Sequence, residues 1–239
     1  VLLGAMLSVT VYFVCIAAPS VFFGKGLKGS GNIVTRTIEA PAFDRIDAAR
    51  AVKVVITDKT SGKIIIAADD NVMDYVVVEA NGRLTATIDK SINNLSNADV
   101  TVTVPANGSI RALDASSAAK ISGDVVLNAD KFAMDASSAA KIDVSVKAQS
   151  CAVAASSASK IILEGSAGTF RADMSSASKL NAEKFSAVNA SIDTSSAASA
   201  SIDCSGKLTA SASSGSSVRY SGDCQTSLEK SSGGSIRKL

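Results

Sequence analysis

Ala115-Ser116-Ser117-Ala118-Ala119-Lys120-Ile121 returns as Ala136-Ser137-Ser138-Ala139-Ala140-Lys141-Ile142, as Ala155-Ser156-Ser157-Ala158-Ser159-Lys160-Ile161 and as Met174-Ser175-Ser176-Ala177-Ser178-Lys179-Leu180. Looser copies follow at Thr194-Ser195-Ser196-Ala197-Ala198-Ser199-Ala200, Ala212-Ser213-Ser214-Gly215-Ser216-Ser217-Val218 and Lys230-Ser231-Ser232-Gly233-Gly234-Ser235-Ile236. The first serines stand at 116, 137, 156, 175, 195, 213 and 231, so the steps are 21, 19, 19, 20, 18 and 18 residues. Spacing this even over seven copies marks one structural unit of about 19 residues. Helical-hairpin repeats need roughly 33 residues or more, and a leucine-rich repeat needs a Leu pattern that is absent here.

Between the serine pairs the chain alternates. Phe132, Met134 and Ala136 stand against Lys131, Ala133 and Asp135, and Leu208, Ala210 and Ala212 against Lys207, Thr209 and Ser211. Period two is the mark of a strand. The apolar residue closing each motif recurs as Ile121, Ile142, Ile161, Leu180, Ala200, Val218 and Ile236. Recurring once per coil, these residues stack in a column with the strand separation of about 4.8 Å. A coil of this kind buries its inward column only when neighbours cover it, so the array must be several coils long. The Ser-Ser-Ala segments fall at corners, where hydroxyls bond the local backbone.

The sequence therefore predicts an all-β chain built as a parallel β-helix, or solenoid, of about 19-residue coils over 109–239. Residues 38–108 read as less regular β coils that close one end of the stack. Within them, the stretch from Ile46 to Ile56 is a degenerate copy of the same corner and strand. Further strands are expected at 64–67, 76–80, 84–88 and 99–105, and Asn81-Gly82 between apolar runs signals a hairpin.

Val1 to Phe23 carries no charge, and the first charged residue is Lys25. An apolar helix serving as signal peptide or membrane anchor is expected over 1–23. The small residues Ala17-Ala18-Pro19-Ser20 suit cleavage. If the segment is an anchor, Lys25, Lys28 and Arg36 beyond it favour a cytoplasmic body under the positive-inside rule. Residues 24–37 read as a linker. Gly24, Gly26 and Gly29 match the spacing of a dinucleotide fingerprint, but the strand before and helix after that it requires are missing.

Composition narrows the chemistry. Apolar residues make up 46% of the chain and aromatics only 4%, with no Trp, so the core must be narrow and built from small side chains. A net charge of +2 is far from the basic surface that a nucleic-acid binder presents to phosphates. Histidine is absent, which removes Ser-His-Asp and Cys-His activation and most catalytic zinc sites. Cys151, Cys204 and Cys224 lack CxxC spacing, and Asp69-Asp70-Asn71 fails the ligand spacing of a calcium loop. No catalytic residue, metal or cofactor is expected, and the chain reads as a non-enzyme.

Two charged files emerge from the repeat. Lys120, Lys141, Lys160 and Lys179 share one position, and Asp114, Asp135, Asp173, Asp193 and Glu229 share another six residues earlier. Unit charges stacked at strand spacing repel by roughly 1 kcal/mol per pair even in water, so both files should face solvent. If the chain turns sharply at Ser-Ser-Ala, the acids offset part of the lysine repulsion. The four lysines are the candidate face for an anionic ligand, an envelope glycan or lipid head group, against the plain reading of a solvated surface. Cys204 and Cys224 each follow an Asp one coil apart and are a candidate disulfide. Cys151 shares its position with Phe132, Phe170 and Leu208 and reads as a buried small residue.

The Phe43-Asp44-Arg45-Ile46 entry, the Val52-Lys53-Val54-Val55-Ile56 strand, the Val100 to Pro105 strand and the serial Ser-Ser-Ala-x-Lys-Ile units resemble the putative auto-transporter adhesin head GIN domain family over roughly Ile38 to Leu239. The resemblance implies an exported bacterial envelope protein with a β-helical body, in the periplasm, outer membrane or cell surface, and carries over no catalytic residue. It favours a binding or scaffold module whose partner is an envelope glycan, a lipid head group or another surface protein. The alternatives are a self-assembling solenoid of the bactofilin filament kind and a polysaccharide-active β-helix enzyme. Where the family commonly has Ser-Gly-Ala, this chain mostly has Ser-Ser-Ala, a residue choice that does not favour positive φ at the second position.

Overall fold

A computed structural model describes residues 25–239. The expected apolar helix, its cleavage site and membrane contact through 1–23 lie outside the described residues.

The serine corners set the architecture, and their backbone departs from what the residue types favour. Each corner holds two successive left-handed residues: φ is 50° at Ser117 and 62° at Ala118, 51° and 62° at Ser138 and Ala139, and 52° and 61° at Ser157 and Ala158. Positive φ thus falls on the second serine despite the missing glycine, and on the following alanine as well. Left-handed residues cost roughly 1–2 kcal/mol each, and hydrogen bonds to neighbouring coils hold them there. Ser137 N donates to Ala115 O of one neighbour at 3.0 Å, and Ala118 N donates to Ser138 O of the next at 2.9 Å. Arg50 and Ala51, with φ of 58° and 61°, make the same turn in the degenerate copy. Within the seven serine corners, glycine takes the second left-handed place at Gly215 and Gly233.

In chain order the strands are β1 (Lys25–Lys28), β2 (Ile33–Glu39), β3 (Phe43–Ala48), β4 (Lys53–Thr57), β5 (Lys63–Asp69), β6 (Val76–Ile88), β7 (Ile92–Ser96), β8 (Val100–Pro105) and β9 (Ala112–Ala115). The regular coils follow as β10 (Lys120–Ala136), β11 (Lys141–Ala155), β12 (Lys160–Met174), β13 (Lys179–Thr194), β14 (Ser199–Ala212), β15 (Ser217–Ser221), β16 (Gln225–Lys230) and β17 (Ser235–Lys238). From β9 and β10 onward every pairing is parallel and runs coil to coil. This is the parallel β-solenoid that the repeat predicts. Ile121, Ile142, Ile161, Leu180, Ala200, Val218 and Ile236 stand in register and are all buried.

Unequal coil lengths are absorbed away from the serine corners. The register slips between Ser122 and Val126, between Ile162 and Glu164, between Ala182 and Ser186 and between Ala187 and Asn189. These bulges push Val126 and Val188 outward, each about half exposed, while the inward columns stay aligned. Inside, Phe132, Cys151, Phe170, Ala190 and Leu208 form one column of alternating bulk. Large beside small lets Phe170 tilt against Phe185 with centroids 5.3 Å apart, filling a tube too narrow for stacked aromatics at every level. Ser159 and Ser178 replace alanine at a buried corner position, and each hydroxyl donates to a carbonyl of the preceding coil, Ala136 O at 2.8 Å and Ala155 O at 2.9 Å.

The opening residues end the parallel stack by reversing direction. β8 pairs parallel with β4, whereas β5 runs antiparallel to both β8 and β2, Ile38 facing Ile64. The stretch expected as a linker therefore carries β1, paired with β7, and β2. Gly29 serves close packing and not a nucleotide, since a Cβ there would collide with Asn97 O and the Ala98 Cα. Asp69, almost fully buried, accepts from Gly31 N at 2.6 Å and Asp99 N at 2.9 Å, tying three segments together. Asp70 takes Ser30 Oγ at 2.5 Å and Asn32 Nδ2 at 2.9 Å, so this acidic cluster is a clamp.

Asn81-Gly82 does not make the expected hairpin. Gly82, at φ 68°, bends the single strand β6, and residues 82–86 continue parallel to β3. A chain winding round a solenoid keeps its sense at a corner, so the left-handed glycine supplies a bend and not a reversal.

Candidate functional site

The register places Lys120 beside Lys141, Lys141 beside Lys160 and Lys160 beside Lys179, and adds Lys53 of β4 beside Lys120. Five lysines thus form one file at strand spacing on one outer face. Lys53 Nζ meets Asp99 at 2.9 Å and Lys141 Nζ meets Asp143 at 2.8 Å. Lys120, Lys160 and Lys179 are exposed and make no ion pair among the described residues. Three free ammonium groups spaced along one line are suited to a polyanion, because ligand charge relieves the mutual repulsion of the file.

The acidic file lies across the serine corner, on the next face. Asp47, Asp114 and Asp135 stand side by side, followed after Ala154 by Asp173 and Asp193, and after Ser211 by Glu229. The expected offset between acids and lysines is not made: arginines answer the acids. Arg45 Nε lies 3.1 Å from Asp114 Oδ2, Arg83 Nη1 2.7 Å from Asp47 Oδ2, and Arg171 Nη2 2.9 Å from Asp173 and 3.8 Å from Asp193. Partial burial and the neighbouring Asp114 raise the carboxyls of Asp47 and Asp135 above the usual range, with Arg83 and Arg45 pulling Asp47 back.

Beside this file lies a feature that sequence reading missed. Ala112, Ala133 and Ala152 share one file in three successive strands, Ala133 and Ala152 exposed and Ala112 largely covered, between Arg45 at one end of the file and Arg171 at the other. Their missing side chains leave a groove of about 670 Å³, whose walls include Arg45, Arg83, Arg111 and Lys131. The available signal was small apolar residues at outward positions where a solvated strand would carry polar ones.

Cys204 and Cys224 lie at the same corner of successive coils, where pairing stops at Asp203 and Ser221 and resumes at Lys207 and Gln225. Both are thiols here. Burial, reinforced by Cys224 beside it, pushes the Cys204 thiol up to about 11. Cys151 is buried, as expected from its column, and burial pushes its thiol up to about 12. Among the described residues no group of three or more His, Cys, Asp or Glu side chains is placed to hold a metal ion.

A parallel β-solenoid with long charged files on its outer faces defines a repeat protein whose chemistry lies on its surface. The family model for the putative auto-transporter adhesin, head GIN domain, matches residues 42–224, and the chain belongs to that family. No curated protein matches the sequence. Among solved structures, a putative adhesin from Bacteroides fragilis is similar with a TM-score of 0.78 at 20% identity, covering 90% of this chain and 100% of that one. A putative adhesin from Parabacteroides distasonis gives 0.71 at 13%, again covering 90% of this chain and 100% of its own. A protein from the same organism described as a putative lipid binding protein gives 0.66 at 14%, with the same coverage. At these identities the likeness establishes the fold.

Proposed function

We propose that this chain is a non-catalytic, adhesin-like binding module of the bacterial cell envelope, exported to the periplasm, outer membrane or cell surface, that holds an anionic envelope partner along its lysine file. The observation that carries the reading is the unbroken run from Lys53 to Lys179 with three unpaired ammonium groups. Family membership supports a surface role. The absence of histidine from the whole sequence supports a non-catalytic one. The lipid binding description of one structural relative makes a lipid head group one form the partner could take, beside a glycan.

The test is binding of the purified protein to an array of envelope glycans and polymers and to anionic phospholipid vesicles, compared with a variant carrying Lys120→Ser, Lys141→Ser, Lys160→Ser and Lys179→Ser. Serine already fills this file at Ser199 and Ser217, so the variant keeps the fold. The expected result is salt-sensitive binding that the variant loses. Equal binding by both proteins to every probe overturns the lysine file as the site.

A further inference from the structure

We propose that the alanine-floored groove is a second binding site, for a carboxylated pyranose chain, separate from the lysine file and on another face of the solenoid. Arg45, Ala112, Ala133, Ala152 and Arg171 occupy successive places in one outward file. Four strand steps separate the two guanidinium-bearing residues, roughly 19 Å along the stack. Between them the file drops to alanines, with the methyl groups of Ala133 and Ala152 exposed and Ala112 largely covered. Arg111 and Lys131 rise on one side of this floor, and with Arg45 they concentrate cationic donors around a cavity of about 670 Å³.

The donors are available at little cost. Arg45 Nε faces Asp114 Oδ2 at 3.1 Å as an ion pair without a hydrogen bond, and the Arg45 side chain is 39% exposed. Arg111 pairs with Asp44, but the Arg111 side chain is 66% exposed. Solvent-exposed pairs of this kind are weak, so a ligand carboxylate can replace either acid. Lys131 is exposed and makes no ion pair among the described residues. Asp114 and Asp44 neutralise Arg45 and Arg111 and hold the two guanidinium groups in place.

The chemistry selects the occupant. A guanidinium fork matches a carboxylate bidentately. A strip of methyl groups offers a flat apolar bed to the C–H face of a sugar ring, and the strand separation is close to the length of one pyranose residue. Nucleic acid is disfavoured because no aromatic side chain is exposed in the groove for bases to stack on. A bilayer is disfavoured because the floor is recessed below the flanking long side chains.

Equilibrium binding of short polygalacturonate, with dextran of matched length and phosphatidylglycerol vesicles as comparisons, tests the site. Polygalacturonate is expected to bind and dextran not to. The double variant Arg111→Ser, Lys131→Ser should weaken binding at least tenfold. Ala133→Tyr, which fills the floor from an exposed strand position, should do the same while retaining the wild-type circular dichroism. The four-lysine variant should bind polygalacturonate as the wild type does. Unchanged affinity in both groove variants, equal binding of dextran, or binding of vesicles alone overturns the proposal. Loss confined to the four-lysine variant also overturns the groove while leaving the lysine-file reading intact, so the two fail separately.

Discussion

Thr194 Oγ1 lies 2.9 Å from Ser216 Oγ inside the stack, one coil apart. The serine hydroxyl in turn donates to Thr194 O at 2.9 Å and accepts from Ser213 N at 3.0 Å, so one hydroxyl joins three groups. Positions equivalent to Ser216 hold Ala119, Ala140 and Ala198 elsewhere in the repeat, where the corner closes without it.

Ser216→Ala should therefore cost about 1 kcal/mol, because it removes three contacts of one hydroxyl while Thr194 Oγ1 keeps its bond to Ser211 O and Thr194 O its bond from Ser213 N. Ser159→Ala should cost under about 1 kcal/mol, since Ala136 O keeps its bond from Ser156 N. Denaturant unfolding measures both. A double-mutant cycle of Thr194→Val with Ser216→Ala should show a coupling of at least about 0.5 kcal/mol, and additivity would contradict the network.

The left-handed corners predict stabilising substitutions. Ser138→Gly and Ala139→Gly each relieve a left-handed residue, and glycine already stands at the position of Ala139 in the copy that holds Gly215. After the entropy that glycine adds to the unfolded chain, a gain of about 0.5–1 kcal/mol per site remains. Ser138→Val should destabilise, since a β-branched residue tolerates this φ poorly. Midpoints in urea, compared at constant slope, decide the matter; a loss of stability in the glycine variants would contradict the assignment.

Acid and neutral pH act oppositely on two carboxylates. Asp69, held by the amides of Asp99 and Gly31, has its pKa lowered from 3.8, so its stabilisation is complete above that value and fades as pH falls through the folded pKa. Asp135 has its pKa raised by burial and by Asp114, so folding is penalised progressively as pH rises from 3.8 through the folded value, and fully above it. Asp135→Asn should accordingly stabilise at pH 7 and make no difference near pH 3, while Asp69→Asn should destabilise at pH 7. Stability measured across this range checks both signs.

The placement of Cys204 and Cys224 at the same corner of successive coils predicts a bridge in an oxidising compartment. The two thiols give two protons and two electrons to an exported thiol oxidant and join in one S–S bond. Closing a loop of this length stabilises by roughly 3 kcal/mol. Thiol titration under denaturing conditions should find both residues unreactive in protein recovered from the envelope and reactive after reduction, with Cys151 reactive in either case. Three reactive thiols, counted over Cys151, Cys204 and Cys224 before reduction, would sink the bridge.

The solenoid, its 19-residue pitch and its columns were legible because each depends on a local pattern that the chain repeats. Alternation fixes which side chains turn inward, and equal spacing fixes which residues share a file. The lysine file from Lys120 to Lys179 and the buried column through Cys151 can thus be counted off from the spacing alone. The corner conformation could not, because Ser117 and Ala118 do not favour positive φ by themselves and are held there by bonds to the coils on either side.

Direction and juxtaposition were also left to the tertiary structure. Ile64, Ile66 and Ala68 alternate equally well in a parallel or an antiparallel strand, so only the packed neighbours β2 and β8 made β5 run backwards. The groove gathers Arg45, Arg111 and Lys131 from three coils, and its decisive feature is side chains that are small. Periodicity specifies what repeats along one chain; a recess bordered by residues that occur once each exists only when the coils are laid against one another.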